Sequence, residues 1–140
     1  MTELANQAQT LLALHTDPQL LKLVNVWDAI SARVVSEVEG TTALATASHS
    51  IAAAYGYADG ENIPVELMIE AVGGIVAATD LPVTADLEAG YGNPRETTKR
   101  AIGVGVVGCN LEDQMKPLHE AVDAVEAVLN AAQQEGIDFV

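Results

Sequence analysis

Apolar residues along the chain switch between helical and extended spacing. Residues at helical spacing predict a leading helix over Glu3–His15, which Asp17-Pro18 closes. Short apolar and β-branched runs then predict a series of strands. These strands are Leu21–Trp27, Thr41–Ala47, Leu81–Glu88, Val104–Glu112 and a fifth that opens at Ile137.

Helical patterns separate the predicted strands. Asp28 suits the N-cap of a helix over residues 29–39, and Gly40 is expected to end it. Residues 48–64 contain serine, glycine and other polar residues and are predicted to form a long loop. The remaining helices are predicted to begin at Pro64, to span Pro94–Gly103, and to span Leu118–Gln134 before Gly136.

Alternation of apolar strands with helices indicates an α/β fold with a parallel sheet covered by helices. No glycine-rich phosphate-binding pattern follows any predicted strand, which argues against dinucleotide-binding and P-loop folds. A (β/α) barrel of the TIM type and a flavodoxin-like open sheet remain. The long loop and the acids at strand ends favour the barrel.

The chain length sets how much of a barrel can be present. A complete eight-fold barrel takes about 250 residues, whereas this chain has 140. We therefore expect only the first four to five β/α units. Residues 1–20 are predicted as a leading helix, and residues 21–140 as a single domain that forms the N-terminal half of the barrel.

Composition narrows the choice of partners. The formal net charge of −14 disfavours binding to nucleic acid or to an anionic membrane, since both are negatively charged. The single cysteine, Cys109, excludes an internal disulfide and fits a reducing compartment. The sequence contains neither a secretory signal pattern nor an apolar run of membrane-spanning length. We expect a cytoplasmic protein whose partner is a metal ion or a small metal-chelated anion.

Acidic residues end two successive predicted strands. Thr84, Asp86 and Glu88 share one strand face because side chains alternate, and Asn110 and Glu112 share the equivalent face of the next strand. Carboxylates that converge at a barrel mouth repel one another unless a cation neutralises them. We predict that Asp86, Glu88 and Glu112 bind Mg²⁺ or Mn²⁺, directly or through water. The alternative is a solvated strand end without a ligand.

Four blocks of the sequence resemble the isocitrate lyase and phosphoenolpyruvate mutase family, including the methylisocitrate lyases. They occur in order, from about Leu21 to the last residue. The blocks are NVWDAISAR (25–33), ALATASHSIAAAYGYADGE (43–61), LPVTADLEAGYGN (81–93) and GVVGCNLEDQ (105–114).

The resemblance implies a (β/α)8 barrel that binds Mg²⁺ and a 2-oxo acid such as pyruvate, and that makes or breaks a C–C or P–C bond through a metal-stabilised enolate. Asp86, Glu88 and Glu112 match its metal-binding carboxylates, with Glu88 where many members have aspartate. The backbone around Ala47, Ser48 and His49 matches the substrate-carboxylate position. Asp59 matches a loop aspartate beside the reacting group.

Two further residues are candidates on their position alone. His49 is a candidate general acid or base beside the metal site, or else a hydrogen-bonding loop residue. Tyr91 lines the site after the glycine turn and is a candidate substrate contact, or else it packs there.

The chain also departs from the family pattern. Members that cleave isocitrate or methylisocitrate carry Lys-Lys-Cys-Gly-His after the acids of the fourth predicted strand. Residues 113–123 here read DQMKPLHEAVD instead. Cys109 does not replace that cysteine, because alternation points it away from the acids. The substrate-binding arginine of the family would follow the fifth strand, beyond Val140.

A flavodoxin-like binding module of different function also fits the chain length, although it leaves the four blocks unexplained. Two further functional hypotheses stay open. One is an Mg²⁺-dependent lyase or mutase that is active when a second half-barrel is supplied, and the other is a truncated, inactive half-barrel that keeps the metal-binding carboxylates. A half-barrel exposes apolar faces and two strand edges, so we expect a homo-oligomer if the chain folds.

Overall fold

Four parallel strands form one sheet in the computed structural model, which describes residues 2–140. The strands pair in sequence order, so each lies beside the next along the chain. The register pairs Ala45 with Thr84 and Asp86 with Asn110. The strands are β1 (Val24–Val26), β2 (Leu44–Thr46), β3 (Val83–Asp86) and β4 (Gly108–Asn110).

Helices precede the sheet and connect its strands, as a half-barrel of β/α units requires. This confirms the predicted parallel α/β fold and its barrel-type strand order. The helices are α1 (Glu3–Thr16), α2 (Ala29–Ser36), α3 (Ser48–Ala54), α4 (Val65–Val76), α5 (Pro94–Gly103) and α6 (Leu118–Glu135).

Local side-chain chemistry fixes several helix ends. Asp28 accepts the backbone N–H of Ser31, whose hydroxyl in turn accepts the backbone N–H of Asp28, so that α2 begins with a capping box. The side chain of Asn93 accepts the N–H of Glu96 at the start of α5. Gly136 ends α6 with a φ of 71°, a left-handed conformation that suits glycine.

Two segments differ from their predicted structure. The predicted loop over residues 48–64 contains α3, because Ile51 and Ala52 are fully buried and stabilise a helix there. The predicted fifth strand is not formed within the described residues. Only Val140 makes ladder-type hydrogen bonds to the β4 region, through its N–H to Val107 and its carbonyl to Cys109, which is too short a run for a strand.

The main core lies between the sheet and the helices that connect its strands. Fully buried members include Leu44 on β2, Met68 and Val72 on α4, and Leu87 after β3. Leu87 therefore packs on the helical side, as its alternation with Asp86 and Glu88 predicts. The acids are left on the other side of the strand.

A second core cluster closes the N-terminal end of the sheet. Leu11 of α1 packs with residues that come just before strands, such as Ala43 and Val107. Gln7 of α1 also donates to the Asp80 carbonyl ahead of β3, at 3.2 Å. The opposite, C-terminal end of the sheet is therefore the end available for a site.

Gly108 is required by the close approach of the Val140 backbone, with Leu11 of α1 also near. A Cβ built there would lie 2.9 Å from Leu11 Cδ2 and 2.7 Å from the Val140 carbonyl oxygen. Any larger residue would displace the Val140 carbonyl from its position beside β4.

Two rows of exposed apolar side chains flank the open edges of the sheet. The α2 row is Ile30, Val34 and Val38, beside the half-exposed Trp27. The α6 row is Leu118, Val122, Val125 and Leu129. Among residues 2–140, no helix has the length and apolar character needed to span a membrane.

Candidate functional site

The carboxyl ends of β2, β3 and β4 meet at one edge of the sheet because the three strands are parallel. Asp86 is the last residue of β3, and Thr46 is the last residue of β2. The two segments are joined there by a hydrogen bond from the Asp86 N–H to the Thr46 hydroxyl, at 3.0 Å. Polar side chains thus gather at this edge.

Both carboxylate oxygens of Asp86 accept hydrogen bonds. Its Oδ2 accepts from the Ser48 hydroxyl at 2.6 Å and from the Ser48 backbone N–H at 3.3 Å. Its Oδ1 accepts from the backbone N–H of Glu88 at 3.1 Å. These bonds fix the Asp86 carboxylate between the start of α3 and the turn after β3.

Glu88 is a buried carboxylate, with 3% of its surface exposed. Its Oε1 accepts from the Tyr91 hydroxyl at 2.7 Å, and its Oε2 accepts from the backbone N–H of Glu61. Burial raises the pKa of Glu88, the charges of Asp59 and Asp86 add to this rise, and the two hydrogen bonds oppose it. The same surroundings raise the pKa of Tyr91, chiefly through burial, so its hydroxyl stays a donor.

Glu88 and Tyr91 lie in a tight turn that follows β3. Glu88 has a φ of 49° and Tyr91 a φ of 53°, in the left-handed region that side chains rarely adopt. Gly90 between them is essential, because a Cβ there would lie 2.6 Å from Pro94 Cα. The glycine turn therefore lets α5 begin against the site.

Glu112 contacts Glu88 through its backbone and not through its side chain. Its N–H donates to the Glu88 carbonyl at 2.7 Å. Its side chain is exposed and lines an open groove of about 430 Å³ that Glu61 and Asp113 also line. The structure thus brings Asp86 and Glu88 together and leaves Glu112 at the rim.

The other predicted site residues lie around this pair. Ala47 donates its N–H to the Val26 carbonyl at 3.1 Å and comes immediately before α3. His49 is exposed on the first turn of α3. Asp59 is exposed in the segment between α3 and α4, and its charge acts on Glu88.

Cys109 is separate from the site. It packs against the main core on the helical side of the sheet, as its alternation with Asn110 predicts. Burial, with a smaller effect of the Asp86 charge, raises the pKa of its thiol to about 11. Such a thiol is almost entirely protonated at neutral pH and is a poor nucleophile.

A family model described as phosphoenolpyruvate phosphomutase matches residues 11–140. The chain belongs to the phosphoenolpyruvate mutase and isocitrate lyase family. The isocitrate lyase of Haloferax volcanii is 30% identical over 95 residues, which cover 66% of this chain and 28% of that protein.

Solved structures of family relatives superpose closely on the chain. A proposed phosphonomutase from Burkholderia cenocepacia J2315 has a TM-score of 0.88 and 42% identity, over 97% of this chain and 57% of that one. Oxaloacetate acetylhydrolase in complex with its product oxalate has a TM-score of 0.85 and 25% identity, over 98% and 52%. The chain therefore spans a little over half the length of these solved relatives, and a smaller share of the isocitrate lyase.

The edge of the sheet that carries Asp86 and Glu88, which we call the carboxylate edge, offers oxygen ligands of the kind that a hard cation binds. Mg²⁺ keeps several waters and is usually held by one or two protein carboxylates, a number that Asp86 and Glu88 supply. Asp86 Oδ1 and both Glu88 oxygens each accept one hydrogen bond and retain a lone-pair position, whereas Asp86 Oδ2 accepts two. Within residues 2–140, however, no three histidine, cysteine or acidic side chains gather closely enough to form a complete protein cage.

Two residues of the site were not predicted from the sequence. Thr46 accepts the N–H of Asp86, and Glu61 joins Glu88 to the segment that carries Asp59. Glu61 lies in the family-like block at 43–61, so its membership of that block was the only available signal. Thr46 had a weaker signal, as a polar residue that ends a predicted strand.

Proposed function

We propose that the carboxylate edge binds Mg²⁺ or Mn²⁺ together with a small 2-oxo acid, and serves a lyase or mutase that makes or breaks a C–C or P–C bond. One observation carries the proposal. Asp86 ends β3, and Glu88 follows two residues later, close enough for the Asp86 charge to act on its carboxylate, in a chain whose family includes a carbon–carbon lyase and a proposed phosphonomutase. When bound, the cation would stabilise negative charge that develops on a substrate oxygen.

The residues of this chain would divide the work by position. Asp86 is the first ligand we propose, because Ser48 and Glu88 hold its carboxylate in one orientation. Glu88 would contribute directly or through water. Glu112 would join through water from the rim of the groove, which suits its exposed side chain.

Substrate contacts are proposed on the segments around the cation. Ala47, Ser48 and His49 lie where β2 meets α3, next to Asp86, and would receive the substrate carboxylate. Tyr91 would border the substrate from the glycine turn. Asp59 and His49 are the candidates for proton transfer, because both are exposed near the carboxylates.

The second candidate is a catalytically inactive protein that binds the cation alone. It is favoured by the segment 113–123, which lacks the cysteine that isocitrate-cleaving relatives carry. Because the chain spans about half the length of its solved relatives, the activity of a whole barrel stays a proposal for it.

Association of chains is the third part of the proposal. The α2 row and the α6 row place apolar side chains at opposite edges of the sheet, with Ile30 75% and Leu118 80% exposed. Burying such rows against a second copy would remove apolar surface from water. Light scattering on the purified chain should show a dimer or larger species. Leu129→Glu and Ile30→Glu should reduce its mass, whereas Leu20→Glu, outside both rows, should not.

Titration calorimetry with Mn²⁺ tests the cation site. Wild type should bind one ion, and Asp86→Asn should weaken binding by at least about tenfold, since it removes a charged ligand. Glu70→Gln, an exposed acid on α4, is the matched control and should bind as wild type does. Equal binding by Asp86→Asn and wild type would contradict the proposed ligand. Turnover of 2-oxo acid substrates would then separate the lyase or mutase from the inactive protein.

A further inference from the structure

Two hydrogen bonds tie the segment before α4 to the turn after β3, and a third lies within that turn. The backbone N–H of Glu61 donates to Glu88 Oε2, and the Tyr91 hydroxyl donates to Glu88 Oε1. The backbone N–H of Tyr91 donates to Glu61 Oε1. Each of the three residues thus bonds to both of the others, and we call Glu61, Glu88 and Tyr91 the loop latch.

The backbone of the loop latch is held in an unfavourable conformation. Glu61, Glu88 and Tyr91 have φ values of 61°, 49° and 53°. They make up three of the five non-glycine residues with positive φ among residues 2–140, so this conformation is concentrated in the latch. Such residues persist only where surrounding contacts determine them, and they cluster at functional sites.

The loop latch also holds two acids close together. Glu88 is almost fully buried and Glu61 is half-buried, and both carboxylates act on the same Tyr91. Like charges in a partly buried site repel unless donors lie between them. The Tyr91 N–H and hydroxyl are those donors, one to each acid.

We propose that Glu61 is a positioning residue that fixes the Glu88 carboxylate and holds the segment carrying Asp59 against the β3 turn. Each Glu88 oxygen accepts one latch bond and keeps one lone-pair position. Those positions remain for a cation or a cation-bound water. This consequence for cation binding rests on the proposed function, whereas the latch itself does not.

Amide hydrogen exchange tests the loop latch without any metal. Glu61→Ala removes the acceptor of the Tyr91 N–H, and exchange at that amide should speed up about tenfold or more. Glu61→Gln keeps an acceptor oxygen and should restore protection to within about threefold of wild type. Glu70→Ala, which removes an acid from the neighbouring helix α4, is the matched control and should not change exchange at the Tyr91 amide or at the Glu61 amide. Amides of β3 report whether each variant is folded.

Two outcomes would overturn the proposal. One is a Tyr91 amide that exchanges equally fast in wild type and Glu61→Ala, and the other is a failure of Glu61→Gln to restore protection. If Glu61→Ala unfolds the chain, the β3 amides lose protection as well, and Glu61→Gln alone decides. Tyr91→Phe gives a second reading: without the hydroxyl that fixes Glu88, the amide of Glu61 should exchange faster, and unchanged exchange would contradict the latch.

An Mn²⁺ titration of the same variants tests the positioning effect. Glu61 is not a proposed ligand, yet Glu61→Ala should weaken Mn²⁺ binding about tenfold, as loss of a residue behind a ligand does. Glu61→Gln should bind within about threefold of wild type. Absence of Mn²⁺ binding in wild type would contradict the proposed function, while the exchange experiment still decides the latch. Unchanged binding in Glu61→Ala would overturn the positioning role.

Discussion

Thr97 and Thr98 are adjacent buried threonines on α5 that differ in one hydrogen bond. The Thr97 hydroxyl donates to the Gly90 carbonyl at 2.9 Å, whereas the Thr98 hydroxyl is buried without a hydrogen-bond partner among the described residues. Thr98→Val should raise the free energy of unfolding by about 1 kcal/mol, because it removes an unsatisfied polar group. Thr97→Val should lower it by about 1 kcal/mol. Urea denaturation of both variants checks the pair, and equal effects would contradict the assignment.

Cys109 gives a prediction about pH at the same scale. Its thiol has a pKa of about 11 in the folded chain against 9.0 for an unperturbed cysteine. Alkylation by iodoacetamide should therefore show a midpoint near pH 11 in native protein and near pH 9 in denaturant. Because the folded pKa is raised, the stabilising contribution is complete below pH 9 and is lost as the pH rises through 11. A native midpoint near 9 would mean that the thiol is not buried.

At the scale of single elements, the capping box of α2 gives a prediction about the stability of the chain. Asp28→Ala removes the side-chain acceptor of the Ser31 N–H and should cost about 1 kcal/mol of stability. Its hydrogen bonds to Ser31 lower the pKa of Asp28, so this stabilisation is present above pH 4 and is lost as the pH falls through the lowered pKa. Thermal melts at pH 7 and pH 2 check this: the variant should differ from wild type at pH 7 and much less at pH 2.

The elements that sequence predicts well are those with strong local signals. The four strands, the Asp28 cap and the Gly136 end all follow from apolar runs and end residues. Helix α3 was missed because serine, histidine and glycine around residues 48–56 read as a loop. Burial of Ile51 and Ala52 against α4 outweighs that local signal, and only the fold reveals it.

The site divides in the same way. Asp86 was predictable because side chains alternate along a strand that ends at a parallel sheet edge. Glu88 lies two residues past the end of β3 and is held by Glu61 and Tyr91. The bonds from Ser48 to Asp86 and from Glu61 to Glu88 join residues 38 and 27 positions apart, which no local pattern encodes. Glu112 also lies two residues past the end of its strand, so alternation does not fix its side chain, which is exposed.

At the scale of the whole molecule, the chain is a four-stranded half-barrel. The C-terminal end of its sheet carries the carboxylates, and helix α1 covers the N-terminal end. Helix α1 closes the N-terminal end, so ligand access is from the carboxylate edge. In the α6 row, Val125 lines the groove beside Glu112, whereas Leu129 and, in the α2 row, Ile30 do not line it. Variants at Ile30 and Leu129 should therefore alter the mass without altering Mn²⁺ affinity.

Thermal melts with Mg²⁺ and oxalate test the proposed enolate site, since oxalate resembles the enolate of pyruvate. Four samples are compared: the chain alone, with Mg²⁺, with oxalate, and with both. We expect a cooperative transition whose midpoint rises only with both ligands. The rise should be roughly 5–10 °C when they are at about a hundredfold above their Kd. It should be absent in Asp86→Asn. A non-cooperative melt, or a midpoint that ignores both ligands, would contradict the proposed enolate site.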